Sequence, residues 1–329
     1  MFSLDEFWAD PNRVYRLRSK IPPSTLNEDV ILGIDEAGRG PVLGPMIYSA
    51  AYCPFSIQKI IDKEKFQDSK TLTETQRRSM FTEIDNFEDI GWLSTILPPT
   101  LISSSMLKRC KYNLNQLSQD TAINLIQDLL DDGVRIREVY VDTVGVPEKY
   151  EALLRRKFPS IKKIKVSKKA DSLFKIVSIA SICAKVLRDF IVENWKFIEK
   201  IDFDHLDYGS GYPNDPKTKE YLTKIFDPIF GYPQFVRFSW STITKILEEK
   251  AVSCRWDDDD DDDDANPNNS NEKNKVKNHK ISKQKSIDTF FAPKNHHSEE
   301  KKIRLKSSSF FINRKIDQIQ NIEEIFSSD

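Results

Sequence analysis

Apolar residues along this chain fall into short β-branched blocks and longer helical stripes that alternate with each other. Val30 to Ile34 is one dense block and predicts a buried strand. Met46 to Cys53 is a second, closed by Pro54, and the short Gly-Pro-rich link between the two predicts an antiparallel pair. Thr73, with Gln76 three residues on, predicts a capping box and a helix whose apolar face is Met80, Phe81 and Ile84. Ile90 to Leu97 predicts a third strand, stopped by Pro98-Pro99. Asn115 to Leu130 carries the helical stripe Ile123, Leu125, Ile126, Leu129 and Leu130 and terminates at Gly133. Val139-Tyr140-Val141 is a short buried strand, and Ile161 to Val166 alternates apolar residues with lysine as a half-exposed strand does. From Asp171 to about residue 198 apolar residues are nearly continuous, which predicts one long helix buried on most sides. Asp215-Pro216 predicts the N-cap and first turn of a helix to about Phe226, and after the aromatic run Phe235 to Trp240 a last helix reaches about Lys250. The class is α/β.

The two ends read differently. Residues 1–28 are polar, carry Arg13, Arg16, Arg18 and Lys20 ahead of Pro22-Pro23, and predict an extended arm covering the surface. After Trp256 come eight aspartates and then lysine-asparagine mixtures, a composition that cannot bury a core. The expected organisation is an arm over 1–28, a folded domain over 29–250 and a disordered tail over 251–329.

Composition narrows the class. The 329 residues are 39% hydrophobic and 31% charged with a net charge of -1, so total charge argues neither for nor against a nucleic-acid partner. Lysines 162, 163, 165, 168 and 169 are nevertheless clustered. No apolar run approaches the roughly 20 residues of a membrane helix, and no secretory signal is expected. Cys53, Cys110, Cys183 and Cys254 are far apart and the four histidines show no zinc spacing, which points to a reduced intracellular compartment.

The candidate chemistry is carboxylate chemistry. The first strand ends in Asp35 and Glu36, followed at once by the turn Gly38-Arg39-Gly40-Pro41. Acids at the end of a buried strand are costly to desolvate unless a cation, hydrogen bonds or water offsets the cost. A polar strand end that meets solvent is the plain alternative. Asp142 ends a second buried strand and Asp171 opens the long helix. If the two acid-tipped strands are parallel neighbours, their C-terminal ends meet on the edge where open α/β sheets place their sites. Four carboxylates without histidine or cysteine are hard oxygen ligands suited to Mg2+ or Mn2+, and a pair of such ions would position a water and neutralise a phosphodiester transition state.

Five ordered motifs carry a resemblance: DEAGRGPVLGPM at 35–46, DSK at 68–70, the VD of YVDTVG at 141–142, KKADSLFKIVSIASICAKVLRD at 168–189 and YGSGYPNDPKTK at 208–219. Over about residues 5–250 the chain resembles the type 2 ribonucleases H (ribonuclease HII), most of all the catalytic A subunits of the eukaryotic complexes. The resemblance implies a ribonuclease H-like mixed β-sheet flanked by helices, with a helical C-terminal part from about residue 200. It implies a metal-binding tetrad at Asp35, Glu36, Asp142 and Asp171. It implies a substrate-sensing loop at Gly38, Arg39 and Gly40, and a ribose-sensing tyrosine at Tyr212. The implied reaction is hydrolysis of RNA in RNA–DNA hybrids and incision 5′ to single ribonucleotides in duplex DNA, leaving 3′-hydroxyl and 5′-phosphate ends. Only the 2′-hydroxyl marks a ribonucleotide among deoxynucleotides, which suits a glycine turn that lets backbone groups approach closely. Lys70, Lys185 and Arg188 are candidates for phosphate contacts, though a structural ion pair suits Arg188 equally. The implied partners are two non-catalytic subunits (B and C), in a nuclear role in replication and ribonucleotide removal. Two rivals remain: a DNA-directed nuclease of the same fold, and a clamp-binding scaffold without activity.

In the tail, Gln284, Ile287, Phe290 and Phe291 fit the sliding-clamp (PCNA) pattern of glutamine, an aliphatic residue at +3 and aromatics at +6 and +7. Ser309-Phe310-Phe311 is a weaker echo. Lysines 273 to 285 could serve nuclear import or reflect lysine-asparagine bias, and the aspartate run is more simply a solvated spacer than a nucleic-acid mimic.

Overall fold

The computed structural model describes residues 4–63, 73–110, 112–143, 145–199 and 207–253. The strands are β1 (Tyr15–Arg18), β2 (Val30–Ala37), β3 (Met46–Pro54), β4 (Gly91–Leu97), β5 (Ile136–Asp142) and β6 (Lys163–Ser167). The helices are α1 (Asp5–Ala9), α2 (Ser24–Asn27), α3 (Gln58–Lys63), α4 (Glu74–Asn86), α5 (Pro99–Leu107), α6 (Leu114–Asp131), α7 (Pro147–Lys157), α8 (Ala170–Leu173), α9 (Lys175–Glu193), α10 (Pro216–Lys224) and α11 (Ser241–Lys250). None of them is long and apolar enough to cross a membrane.

The strands form one mixed sheet in the order β1-β4-β3-β2-β5-β6. β2 pairs antiparallel with β3 and parallel with β5, and β5 continues parallel to β6. The period-two alternation of β2 sorts its side chains between two cores. Ile31 and Ala37 face α9, while Val30, Leu32 and Ile34 face the layer built by α6 and α7. Gly33 lies directly under α9, where a β-carbon would come within 2.5 Å of the Ile176 backbone. A side chain there would lift the helix off the sheet, so this residue sets the height of everything α9 carries.

The expected capping box of Thr73 with Gln76 opens α4, and a second one, Asn113 with Gln116, opens α6. Asp215 caps α10, with Pro216 in its first turn.

Several elements depart from the sequence expectations. The arm is part of the sheet: β1 pairs antiparallel with β4, and Phe7 is fully buried against Trp8, Tyr15 and Trp195. Its arginines are tied down, Arg16 to Asp128 at 2.9 Å and Arg18 to Asp132. The long helix expected from Asp171 is broken at Phe174, whose extended backbone separates α8 from α9. The Phe174 ring packs 4.1 Å from that of Tyr140, a contact a continuous helix would have to give up. Pro98-Pro99 stops β4 but also starts α5, since proline is at home in a helical first turn; Pro147 likewise opens α7. β5 begins at Ile136, because Ile136 pairs with Val30 of β2 and Glu138 pairs on both sides, with Arg137 taken up at a register shift between them.

Candidate active site

Asp35, near the end of β2, and Asp142, the last residue of β5, lie on adjacent parallel strands. Ile34 is in register with Val141, so the acid one residue beyond each lies at the same edge of the sheet. The strand β2 runs through both of its acids to Ala37, which sends their side chains to opposite faces. Asp35 faces α9, where Ser181 hydrogen-bonds its carboxylate, and Glu36 faces α6, beside Tyr48. Oxygens of Asp35, Glu36 and Asp142 nevertheless lie within 4.8 Å of one another at the strand end. Asp171 does not belong to that close trio but is buried on α8 alongside it, near enough to raise Glu36. The short α8 also orients Asp142, whose Oδ1 accepts from the Ala170 N–H at 2.6 Å. To reach this turn the backbone takes a left-handed conformation at Lys169, φ 56°. Asp35 Oδ1 accepts from the Glu36 N–H at 2.7 Å.

The trio is electrostatically loaded. Burial pushes Asp35 well above the usual carboxylate range, and the charges of Glu36 and Asp142 push it further. Burial also raises Glu36 to about 7; Arg39 pulls it down while Asp142 and Asp171 push it up. Glu36 Oε2 is buried with no hydrogen-bond donor among the described residues. An all-oxygen set of this kind, with mutually repelling charges and an unsatisfied acceptor, fits a hard divalent cation.

Next to the acids is an open cavity of about 860 Å3, lined among others by Glu36, Gly38, Arg39, Gly40, Lys185, Arg188 and Tyr212. The structure thus brings the glycine turn, the tyrosine and two of the three basic candidates into one pocket. Gly38 has φ 78°, and a β-carbon there would meet Arg188 and the Pro45 carbonyl at 2.5 to 2.6 Å. The turn therefore admits only glycine at this position. The Tyr212 ring rests on Gly40 and is 51% exposed to the cavity. Arg39 turns its guanidinium away to Ser118 and Asn115 at the start of α6. Lys185 Nζ donates to Ser181 Oγ at 3.0 Å. Arg188 is mostly buried and lies 3.5 Å from Asp189, so the ion pair considered for it is present alongside its place in the pocket. Lys70, with the rest of the Asp-Ser-Lys motif, and the clamp-like Gln284, Ile287, Phe290 and Phe291 lie outside the described residues.

Several contributors are not evident in the sequence. Tyr48 stands opposite Glu36 in the β2–β3 register, a position readable only once that register is known. Arg237 is completely buried beneath the glycine turn. Its one signal in the sequence is that of a lone cation in the aromatic run Phe235 to Trp240.

Comparison with known proteins agrees with this geometry. The family model described as Ribonuclease HII matches residues 32–243. The A subunit of ribonuclease H2 from Bos taurus is 53% identical over 256 residues, covering 78% of this chain and 85% of that protein. The Homo sapiens counterpart is 51% identical over 255 residues with the same coverage, and that of Arabidopsis thaliana is 45% identical over 239, covering 73% and 80%. Among solved structures, ribonuclease H2 from Pyrococcus horikoshii OT3 is 30% identical with a TM-score of 0.56, covering 67% of this chain and 98% of that one. Ribonuclease HII of Archaeoglobus fulgidus, solved in complex with PCNA, is 29% identical with a TM-score of 0.50, covering 59% and 85%. A family match of this length, with eukaryotic A subunits sharing about half of their residues, means that the chain belongs to the ribonuclease HII family, as a ribonuclease H endonuclease similar to the catalytic A subunits of ribonuclease H2.

Proposed function

We propose that the chain hydrolyses RNA in RNA–DNA hybrids and incises duplex DNA on the 5′ side of single embedded ribonucleotides, leaving 3′-hydroxyl and 5′-phosphate ends. The observation that carries this reading is the meeting of Asp35, Glu36 and Asp142 within 4.8 Å beside a pocket that holds Gly38 to Gly40 and Tyr212. Carboxylates that can hold cations adjoin a surface suited to sensing a ribose.

Asp35, Glu36, Asp142 and Asp171 are the residues that would hold the metal, Mg2+ or Mn2+, with two ions in the reacting state. When bound, the ions supply Lewis-acid charge neutralisation to the phosphodiester and ease deprotonation of the attacking water. The chain's own part is orientation. The Ala170 N–H fixes Asp142, and the Glu36 N–H fixes Asp35. Gly38, Arg39 and Gly40 present backbone groups to the 2′-hydroxyl, and Tyr212 offers a ring to pack on sugar or base and a hydroxyl to hydrogen-bond. Lys70, Lys185 and Arg188 contact phosphates and position the duplex without reading its sequence.

The likeness to proteins named as A subunits supports assembly with two non-catalytic partners (B and C), in the nucleus, in replication and ribonucleotide removal. The Archaeoglobus fulgidus enzyme in complex with PCNA supports a sliding-clamp role for Gln284, Ile287, Phe290 and Phe291 in the tail.

A labelled duplex with one ribonucleotide, incubated with Mg2+ and the purified chain with and without candidate partners, tests the reading. Incision 5′ to the ribonucleotide is expected. No incision under any of these conditions overturns it, and cleavage of an all-DNA duplex at a similar rate assigns the chain to DNA-directed nucleases instead.

A further inference from the structure

Arg237 is fully buried against the glycine turn and does not line the cavity. Among the described residues no carboxylate pairs with it. Each of its three side-chain nitrogens donates to a backbone carbonyl of one segment: Nη2 to Gly38 O at 2.6 Å, Nη1 to Arg39 O at 3.2 Å and Nε to Gly44 O at 2.8 Å. Its own N–H donates to Val42 O at 2.9 Å. Trp240 Nε1 takes the remaining carbonyl, Gly40 O, at 3.0 Å, and its ring lies 4.9 Å from the Arg237 guanidinium. Burying a cation without an anion is a poor way to gain stability, since the desolvation cost is large and an apolar side chain would avoid it. The arrangement does accomplish something else.

A trans peptide points its C=O and N–H in opposite directions. The Gly38 carbonyl shares a peptide with the Arg39 N–H, and the Arg39 carbonyl with the Gly40 N–H. Drawing both carbonyls inward therefore turns both N–H groups outward. Neither of these N–H groups has a hydrogen-bond partner among the described residues. The next peptide, whose carbonyl Trp240 holds, has no donor to present because residue 41 is proline. Without the inward pull the turn has no internal hydrogen bond to fix its peptide planes, and Gly38 and Gly40 leave the backbone free to rotate.

We propose that Arg237, seconded by Trp240, is the positioning residue that sets the polarity of the Gly38-Arg39-Gly40 turn and aims its two free N–H groups at the 2′-hydroxyl of the bound ribonucleotide. This rests on the reading of the turn as a ribose sensor. It assigns Arg237 no contact with substrate or metal.

The test measures binding by the full chain, with any co-purifying partners, in Ca2+ so that the duplex is held without turnover. Two affinities are compared, for a duplex with one ribonucleotide and for the same duplex all in DNA. Arg237→Lys keeps a charge but reaches too few carbonyls, and its ribonucleotide preference is expected to fall by about tenfold. Trp240→Phe keeps the half-buried ring and loses one donor, and is expected to lose about threefold. Affinity for the all-DNA duplex should not change in either, whereas a merely structural defect would lower both affinities together. If the native chain shows no preference, the ribose reading fails and this proposal with it. If the native chain shows a preference that folded variants keep, the proposal alone is overturned. Should Arg237→Lys fail to fold, Trp240→Phe decides the matter by itself.

Discussion

The ring of Tyr212 lies so close to Gly40 that a β-carbon on that glycine would sit 2.9 Å from its Cε1. Two segments far apart in sequence thus form one wall, with half of the tyrosine left to the cavity. Tyr212→Phe keeps this packing and removes only the hydroxyl. Its melting temperature should match the native chain, while its preference for a single ribonucleotide over an all-DNA duplex should weaken several-fold. Kinetics on the paired duplexes measure this.

Gly38→Ala should be far worse than its size suggests. The methyl group meets Arg188 and the Pro45 carbonyl at 2.5 to 2.6 Å in a left-handed backbone region. A loss of about 1–3 kcal/mol in stability is expected, with incision reduced by more than the unfolded fraction accounts for. Denaturant titration and single-turnover rates on one preparation separate the two.

Asp35→Asn should abolish cleavage without unfolding the chain. The carboxylate is buried and pushed up by its neighbours, so the amide relieves repulsion in the metal-free protein. The expected result is an unchanged or higher melting temperature without Mg2+, a smaller rise on adding it, and no detectable incision.

Stability without metal should depend on pH in the unusual direction for acids. A carboxyl raised on folding binds its proton more tightly in the native than in the unfolded chain. Its contribution is complete below the ordinary value of 4.5 for Glu36 and is lost as pH rises through about 7. Asp35, raised more strongly, adds to the same trend. In a chelator, the melting temperature should therefore fall as pH rises across this range. Saturating Mg2+ should flatten the fall, because the cation takes over the role of the proton. A melting temperature that rises with pH in chelator would contradict this electrostatic account.

Phe290→Ala combined with Phe291→Ala should remove binding to the sliding clamp and leave incision rates on short duplexes unchanged. Co-migration with purified clamp and the duplex assay measure the two separately.

Features are legible in the sequence to the extent that they stand out against an apolar background. Asp35 with Glu36, and Asp142, end apolar blocks, so the acids and the strands carrying them can be read together. Their meeting requires β2 and β5 to be parallel neighbours, which the sequence allows but does not demand. The role of Arg237 is hidden for a different reason: its acceptors are backbone carbonyls, and these leave no trace in a pattern of side chains. The break at Phe174 is concealed because helical periodicity continues straight through it, and a ring contact with Tyr140 decides against continuity. β1 escapes notice because Tyr-Arg-Leu-Arg at a sheet edge looks like any polar arm.

The parallel pairing of β2 with β5 also bears on when, during synthesis, the site can be assembled. The first two acids leave the ribosome early, on a strand that can pair at once with β3. Asp142 and Asp171 emerge much later, and the turn that holds Asp142 depends on α8. A nascent chain that has not reached Asp171 therefore carries an incomplete set of acids, and Arg237, beneath the glycine turn, is made later still. The acids and the support of the glycine turn are therefore brought together only as synthesis of the folded part nears its end.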